Sequence, residues 1–143
     1  ISSPNPVKRY IETNEIDEVF YYRQDKYMYR ELKKMMKSQD TLYHWRRKYV
    51  RENKSNLCPT LTANMGTGGH NVPLILTDDG IRKLTPRECF NFQGFPKNFR
   101  FPSEIANSHL YRQAGNSVSV PLITKLARLI KESLVLGNNC AKI

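Results

Sequence analysis

Apolar positions recur along this chain with two different periods, and the switches between them mark out its elements. Tyr29, Leu32, Met35 and Met36 follow helical spacing, which predicts a short helix over about 28–37. From Leu42 to Val50 the pattern alternates, with Tyr43, Trp45 and Tyr49, and predicts a strand. Thr60-Leu61-Thr62 is short and β-prone, and Gly66-Thr67-Gly68-Gly69 is a flexible loop. Val72–Thr77 is an apolar run that turns at Asp78-Asp79-Gly80 and returns through Ile81–Leu84, the pattern of a hairpin. A second short helix is expected around His109–Gln113, ending at Gly115. Farther on, Leu122, Ile123, Leu126, Leu129, Ile130 and Leu134 recur at three- and four-residue spacing. With Lys125, Arg128 and Lys131 opposite them, they predict an amphipathic helix over about Val120–Leu134. Residues 1–20 have no strong period and read as a connecting segment, and the tail LGNNCAKI reads as frayed.

The most explicit local signals lie in IRKLTPRECFNFQGFP, residues 81–96. Thr85 suits a helix N-cap, Pro86 the first helical position, and Glu88 the third. That spacing lets the Thr85 hydroxyl accept from the Glu88 amide while the Glu88 carboxylate accepts from the Thr85 amide. Leu84 can staple onto Cys89, Gly94 can supply a left-handed stop, and Pro96 bars extension. The aromatics of KNFRFPSEIANS, which follows, are expected to cover this helix.

Charge then changes the picture. There are 23 Lys and Arg against 13 Asp and Glu, a net +10 with pI near 9.7, which points to a polyanion partner. Between Lys26 and Lys54 alone the net charge is +7, from ten cations and three acids. Arg46, Arg47, Arg51 and Lys54 crowd the predicted strand and its exit, where like charges repel unless an anion bridges them. Arginine on guanine reads sequence and phosphate contact supplies affinity, so nucleic acid is the fitting partner. Cys58, Cys89 and Cys140 lie in no metal-ligand spacing, and three cysteines make no disulfide framework, which suits a reducing cytoplasm. No apolar run has membrane-spanning length. His44 and His70 are single histidines, read as hydrogen-bonding or DNA-facing rather than metal ligands. The chain begins with Ile1 rather than Met, which reads as processing, trimming or excision.

Three segments carry a resemblance. TLTANMGTGG, RKLTPRECFNFQGFP and YRQAGNSVSVPL, in that order, resemble the C-terminal part of bacterial DNA cytosine-5 methyltransferases. The first is similar to the end of the target-recognition domain, the second to motif IX and the third to motif X. The likeness covers Asn56–Leu134, and more loosely Tyr43–Lys54 as the variable recognition part. It implies methyl transfer from S-adenosylmethionine to carbon 5 of a cytosine flipped out of duplex DNA, with a cysteine attacking carbon 6. The chain departs from the family pattern at the reacting centre: it holds no Pro-Cys-Gln, no Glu-Asn-Val, no FxGxG loop and no QxRxR segment.

By that resemblance Gly115, Asn116, Ser117 and Val118 form one wall of the cofactor pocket. Thr60, Leu61, Thr62, Gly66, Gly68, Gly69 and His70 stand near DNA beside Arg46, Arg47 and Arg51. Arg87 and Glu88 brace the recognition domain, with Arg87 bridging the helix to the recognition loops. The implied fold is α+β. A connecting segment over 1–20 leads to a small irregular recognition domain over 21–105. Residues 106–143 then return to a Rossmann-like α/β catalytic domain absent from the chain. The implied partners are double-stranded DNA and a catalytic part carrying Pro-Cys-Gln, in a bacterial cytoplasm at the nucleoid, as in restriction-modification. Two other functions fit the residues: a non-catalytic sequence-specific DNA-binding module, and an RNA-binding module built on the Tyr/Arg region. The second lacks a stacking-sheet signature.

Overall fold

Two antiparallel hairpins set side by side make the sheet. The structure, a computed structural model, describes residues 7–46, 48–54, 57–67 and 71–140, with the side chains of its last helix described through residue 135. Strands β1 (Leu42–Arg46) and β2 (Tyr49–Asn53) form the first hairpin, β3 (Val72–Thr77) and β4 (Gly80–Lys83) the second. The order across the sheet is β2-β1-β3-β4, every neighbour antiparallel. The helices are α1 (Tyr29–Met35), α2 (Pro86–Phe92), α3 (Asn107–Asn116) and α4 (Val120–Cys140). The fold is therefore mixed α+β, with a small four-stranded sheet.

The alternating run Leu42–Val50 is two strands rather than one. Arg46 pairs with Tyr49 and Trp45 with Val50, so the chain reverses between Arg46 and Tyr49. Paired residues share a face, so Tyr43 and Trp45 lie with Val50 and the reversal shifts the alternation by one position, while no Asn-Gly or Asp-Gly announces it. The second hairpin forms where its Asp-Asp-Gly turn predicts, with Thr77 paired to Gly80 at φ +127°.

Each face of the sheet carries its own core. Tyr43, Trp45, Val50, Val72, Leu74 and Ile81 pack with Leu32 and Met36 from α1 and the residue after it. On the opposite face Leu42, Ile75 and Leu84 pack with Met65, Cys89, Phe90, Tyr111 and Ala114. Burying one such aliphatic side chain is worth about 1.5–3 kcal/mol. The Tyr and Met stripe is thus core in part: Tyr43 and Met36 are buried, while Met35 and Tyr49 remain about half exposed at 49% and 56%.

Residues 7–20 do more than connect. Val7 is fully buried in the second core, the Tyr10 ring lies 4.9 Å from Phe92, and Asn91 Nδ2 donates to the Tyr10 carbonyl. Helix α3 also runs longer than predicted. It passes through Gly115 and stops at Ser117, whose hydroxyl donates to the Ala114 carbonyl at 2.7 Å. Leu110, Tyr111 and Ala114 bury its inner face, which ties α3 to α2. Helix α4 differs: Leu122, Ile123, Leu126, Leu129, Ile130 and Leu134 lie at helical spacing and all are exposed.

Candidate functional site

The capped helix is held from three sides. Its capping box forms as the spacing predicts, the Thr85 hydroxyl accepting from the Glu88 amide at 3.1 Å and the Glu88 carboxylate from the Thr85 amide at 2.8 Å. Leu84 and Cys89 are both fully buried in one cluster, as a staple requires. Glu88 does more than cap. Arg82, on β4, donates two hydrogen bonds of 2.7 Å to its two oxygens, and both side chains are almost wholly buried. The Glu12 amide donates to the same carboxylate at 3.0 Å, and the Thr85 hydroxyl donates to Glu12. Burial works against the Arg82 charge, but its bonds to Glu88 outweigh this and hold its pKa above the ordinary value. Nothing in the sequence pattern singles out Arg82. Its only signal is the strand period, which turns it to the same face as Leu84, six residues before Glu88.

Arg87 takes a different place from the expected one. Its guanidinium lies over the Phe101 ring at 3.9 Å, and its Nη1 is buried without a partner, so the contact is to the segment after the helix. The aromatics following α2 do cover it: Phe95, Phe99 and Phe101 all stand within 5.6 Å of the Phe90 ring centroid. At the helix end Gly94 has φ +84°, and a Cβ there would lie 2.5 Å from Pro121 Cδ. The Val120 amide donates to the Gln93 carbonyl at 2.8 Å, so the stop of α2 and the start of α4 meet here. Gly94→Ala is therefore expected to destabilise the chain by about 2 kcal/mol, from the left-handed backbone and the proline ring together. Urea unfolding checks this, and a change under 0.5 kcal/mol would argue against a close contact.

The glycine loop is anchored on α3. A Cβ on Gly66 would fall 2.7 Å from Tyr111 Cγ, so this glycine serves packing on the inner side. Leu61 also packs on the core, the Thr62 hydroxyl bonds Asn64 at 2.8 Å, and Thr60 is exposed. Gly115 is placed differently from its expected position on a cofactor wall. A Cβ there would meet the Thr62 carbonyl oxygen at 2.5 Å, because the α3 backbone lies directly against the Thr62–Ala63 peptide. Arg47, Gly68, Gly69 and His70 lie outside the described residues.

On the first hairpin Arg46 and Arg51 are exposed and, by register, share a face with His44, which stands directly opposite Arg51. His44 is 6% exposed, and among the described residues neither ring nitrogen has a partner. Burial, then the charges of Arg46 and Arg51, push its pKa below the ordinary value, so the ring is neutral at pH 7.

Asn116, Ser117 and Val118 line a groove of about 540 Å³ with Phe95, Val120, Ile123, Thr124 and Ala127. Gly115 is not among its lining residues. An apolar wall with Asn116, Ser117 and Thr124 as its polar residues suits a ligand that is part apolar and part polar. The Ser117 hydroxyl is committed to the Ala114 carbonyl, which leaves Asn116 as the polar side chain free to turn toward a ligand.

Neither Cys58 nor Cys89 is poised for attack. Burial pushes the Cys58 thiol up to about 12 and that of Cys89, at the centre of the core, well above its ordinary value. Only about one molecule in ten thousand would carry a Cys58 thiolate at pH 8. Among the described residues no His, Cys, Asp and Glu cluster could hold a metal ion, and no helix is long and apolar enough to cross a membrane.

The described residues thus make a basic α+β scaffold around a buried brace, with no assembled nucleophile. The chain belongs to the C-5 cytosine-specific DNA methylase family, which matches residues 4–132. It is 62% identical over 124 residues to the type II methyltransferase M.Bsp6I of Bacillus sp. (strain RFL6), a match covering 86% of this chain and 39% of that protein. It is 47% identical over 57 residues to M.MspI of Moraxella sp., and 45% over 56 residues to M.HpaII of Haemophilus parainfluenzae. Those two matches cover 40% and 39% of this chain, and 13% and 15% of the relatives. The chain therefore spans well under half the length of these curated relatives. No solved structure matches it.

Proposed function

We propose that this chain is the target-recognition and cofactor-wall portion of a DNA (cytosine-5-)-methyltransferase of a restriction-modification system. The observation that carries this is the family match over residues 4–132 in a sequence without Pro-Cys-Gln, in which burial holds the Cys58 and Cys89 thiols protonated. The chain's own residues bind and position. The β1–β2 hairpin offers Arg46 and Arg51 to duplex DNA, and the loop held on Tyr111 and Gly115 sets a second contact beside it. The groove beside Asn116, Ser117 and Val118 forms one side of the site for S-adenosylmethionine, which supplies the methyl group when bound. The exposed apolar row of α4 docks on the catalytic α/β part, which carries Pro-Cys-Gln, and completes the enzyme.

Methyl incorporation from labelled S-adenosylmethionine tests this. The chain alone is expected to transfer none, and adding a catalytic part bearing Pro-Cys-Gln is expected to restore transfer to cytosine. Methylation by the lone chain would overturn the proposal. Binding to one DNA sequence with no rescue by any such part would mark a non-catalytic module instead. Within the complete enzyme Arg46→Ala is expected to lose about 1–3 kcal/mol of discrimination if it contacts a guanine. Uniform weakening on all sequences, with a shallower salt dependence, would mark a phosphate contact.

A further inference from the structure

The buried imidazole of His44 has nothing to bond among the described residues, at either nitrogen. A neutral imidazole carries one donor and one acceptor, and leaving both unused in a buried place costs stability unless a group from outside answers them. Register shows what surrounds the ring. His44 stands opposite Arg51 on β2 and opposite Pro73 on β3, with Arg46 two residues further along β1. These residues share the sheet face opposite the one that α1 covers. Glu52 is paired with Tyr43 and so belongs to the α1 face, which leaves neither β1 nor β2 with a carboxylate on the His44 face. Asn53, on the His44 face, spends its amide on the Leu57 carbonyl. The 57–67 segment, whose Met65 packs on the same face, holds no charged residue.

The charges that act on the ring are therefore Arg46 and Arg51, both positive, and with burial they hold it neutral. Both arginines are exposed, and neither joins a described ion pair. They form a diagonal cross-strand pair, about 7–8 Å apart at the backbone, within reach of two long side chains that close on one group between them. Three basic groups thus converge on one spot with no acid among them. An anion seated there would satisfy all three.

We infer that His44, Arg46 and Arg51 form one phosphate site, in which a backbone phosphate of duplex DNA bridges the two arginines and His44 takes up a proton as the phosphate binds. This rests on the proposed DNA-recognition role, and it assigns Arg46 to the DNA backbone rather than to a base. Duplex DNA is the polyanion of a DNA methylase family, and guanidinium groups fit phosphate oxygens with paired hydrogen bonds. The phosphate offsets the two charges that oppose protonation of the ring and supplies the acceptor that the ring lacks. The proton comes from solvent and goes to the unprotonated ring nitrogen, and no covalent bond to the phosphate forms.

The test titrates the full chain with 30-base-pair duplexes of unrelated sequence between about pH 5.5 and 8.5 at constant ionic strength. Fluorescence anisotropy reads affinity, and NMR follows the His44 ring. Binding raises the pKa of the ring, so the added affinity is complete below the free-state value and is lost as pH rises through the bound-state value. Native affinity is expected to fall about 10-fold across this range on every duplex, as for a bound ring whose pKa is about one higher. His44→Gln should bind as the native chain does at high pH and lose this dependence. Arg46→Gln/Arg51→Gln changes two exposed side chains, should lose the dependence as well, and should raise the pKa of the free ring. A His44 resonance unmoved by saturating duplex, or a folded variant of either kind that keeps the native pH dependence, overturns the inference and leaves the hairpin's role in place. If inorganic phosphate or polyglutamate at matched ionic strength moves the ring and duplex does not, the site takes a free anion or an acidic protein, and the inference is overturned. If no duplex binds at any pH, the proposed function fails and this inference with it.

Discussion

Replacing Glu88 by glutamine is expected to cost the chain about 3–5 kcal/mol, enough to unfold a large share of it at 37 °C. Arg82 and Glu88 are 2% and 0% exposed, and the pair is bidentate at 2.7 Å, so removing one charge leaves the other in the core without compensation. The same carboxylate also accepts from the amides of Thr85 and Glu12, which joins β4, the helix start and the N-terminal segment at one group. Glu88→Ala removes those acceptors too and should be worse, since each orphaned buried amide costs about 1–3 kcal/mol more. Arg82→Met combined with Glu88→Gln separates the two effects. The stranded charge is gone, although the glutamine keeps one acceptor oxygen where the carboxylate used Oε2 for Thr85 and Oε1 for Glu12, so about 2 kcal/mol should return relative to Glu88→Gln alone and recovery stays partial. Urea unfolding of the three variants is the measurement. A single Glu88→Gln variant within 1 kcal/mol of the native chain would show that the pair is not the brace.

Gly115→Ala should destabilise by about 3 kcal/mol, and the sign is diagnostic. Gly115 lies within the last turn of α3, where a solvent-facing glycine replaced by alanine normally stabilises by up to about 1 kcal/mol. Here the added carbon would lie 2.5 Å from the Thr62 carbonyl oxygen and in closer contact still with the Thr62–Ala63 peptide. Both contacts are backbone, which cannot turn aside as a side chain can, so α3 or the loop must move. Either movement disturbs Met65 and Tyr111, both buried where loop and helix meet. Denaturant unfolding reads the stability, and amide exchange at Met65 and Thr67 reads the loop. A stabilised variant with unchanged exchange would place Gly115 away from the loop.

Much of the brace was legible from neighbouring residues alone. The capping box, the Leu84–Cys89 staple, the left-handed Gly94 and the Asp78–Gly80 turn each involve groups within a few positions of one another. Sequence spacing fixes their distance before any tertiary contact forms. The resemblance of YRQAGNSVSVPL to motif X puts Gly115, Asn116, Ser117 and Val118 on a cofactor wall; in the structure the last three line a groove and Gly115 lies against the Thr62–Ala63 peptide. The glycine faces the loop because helix and loop backbones meet there, at positions more than fifty residues apart. The same limit hid the reversal inside Leu42–Val50, where the alternation shifts by one position between Trp45 and Val50 and only the cross-strand pairing shows it. It also hid Val7, which no helical or strand period picks out and which has a whole core around it in space.

The sequence by itself determined much of the local geometry: the second hairpin, where the capped helix starts and stops, the helical spacing of α4, and the strongly basic charge balance. Only the tertiary structure decided that Arg82 meets Glu88, that Glu12 joins them, and that Arg87 lies on Phe101 rather than on the loops. It also decided that α3 stays in the core while the apolar row of α4 remains uncovered. The reason is physical. A cap or a turn is made by groups a few bonds apart, whose approach the backbone dihedrals dictate, whereas a buried pair or a close backbone crossing exists only once the sheet has brought distant segments to the same place.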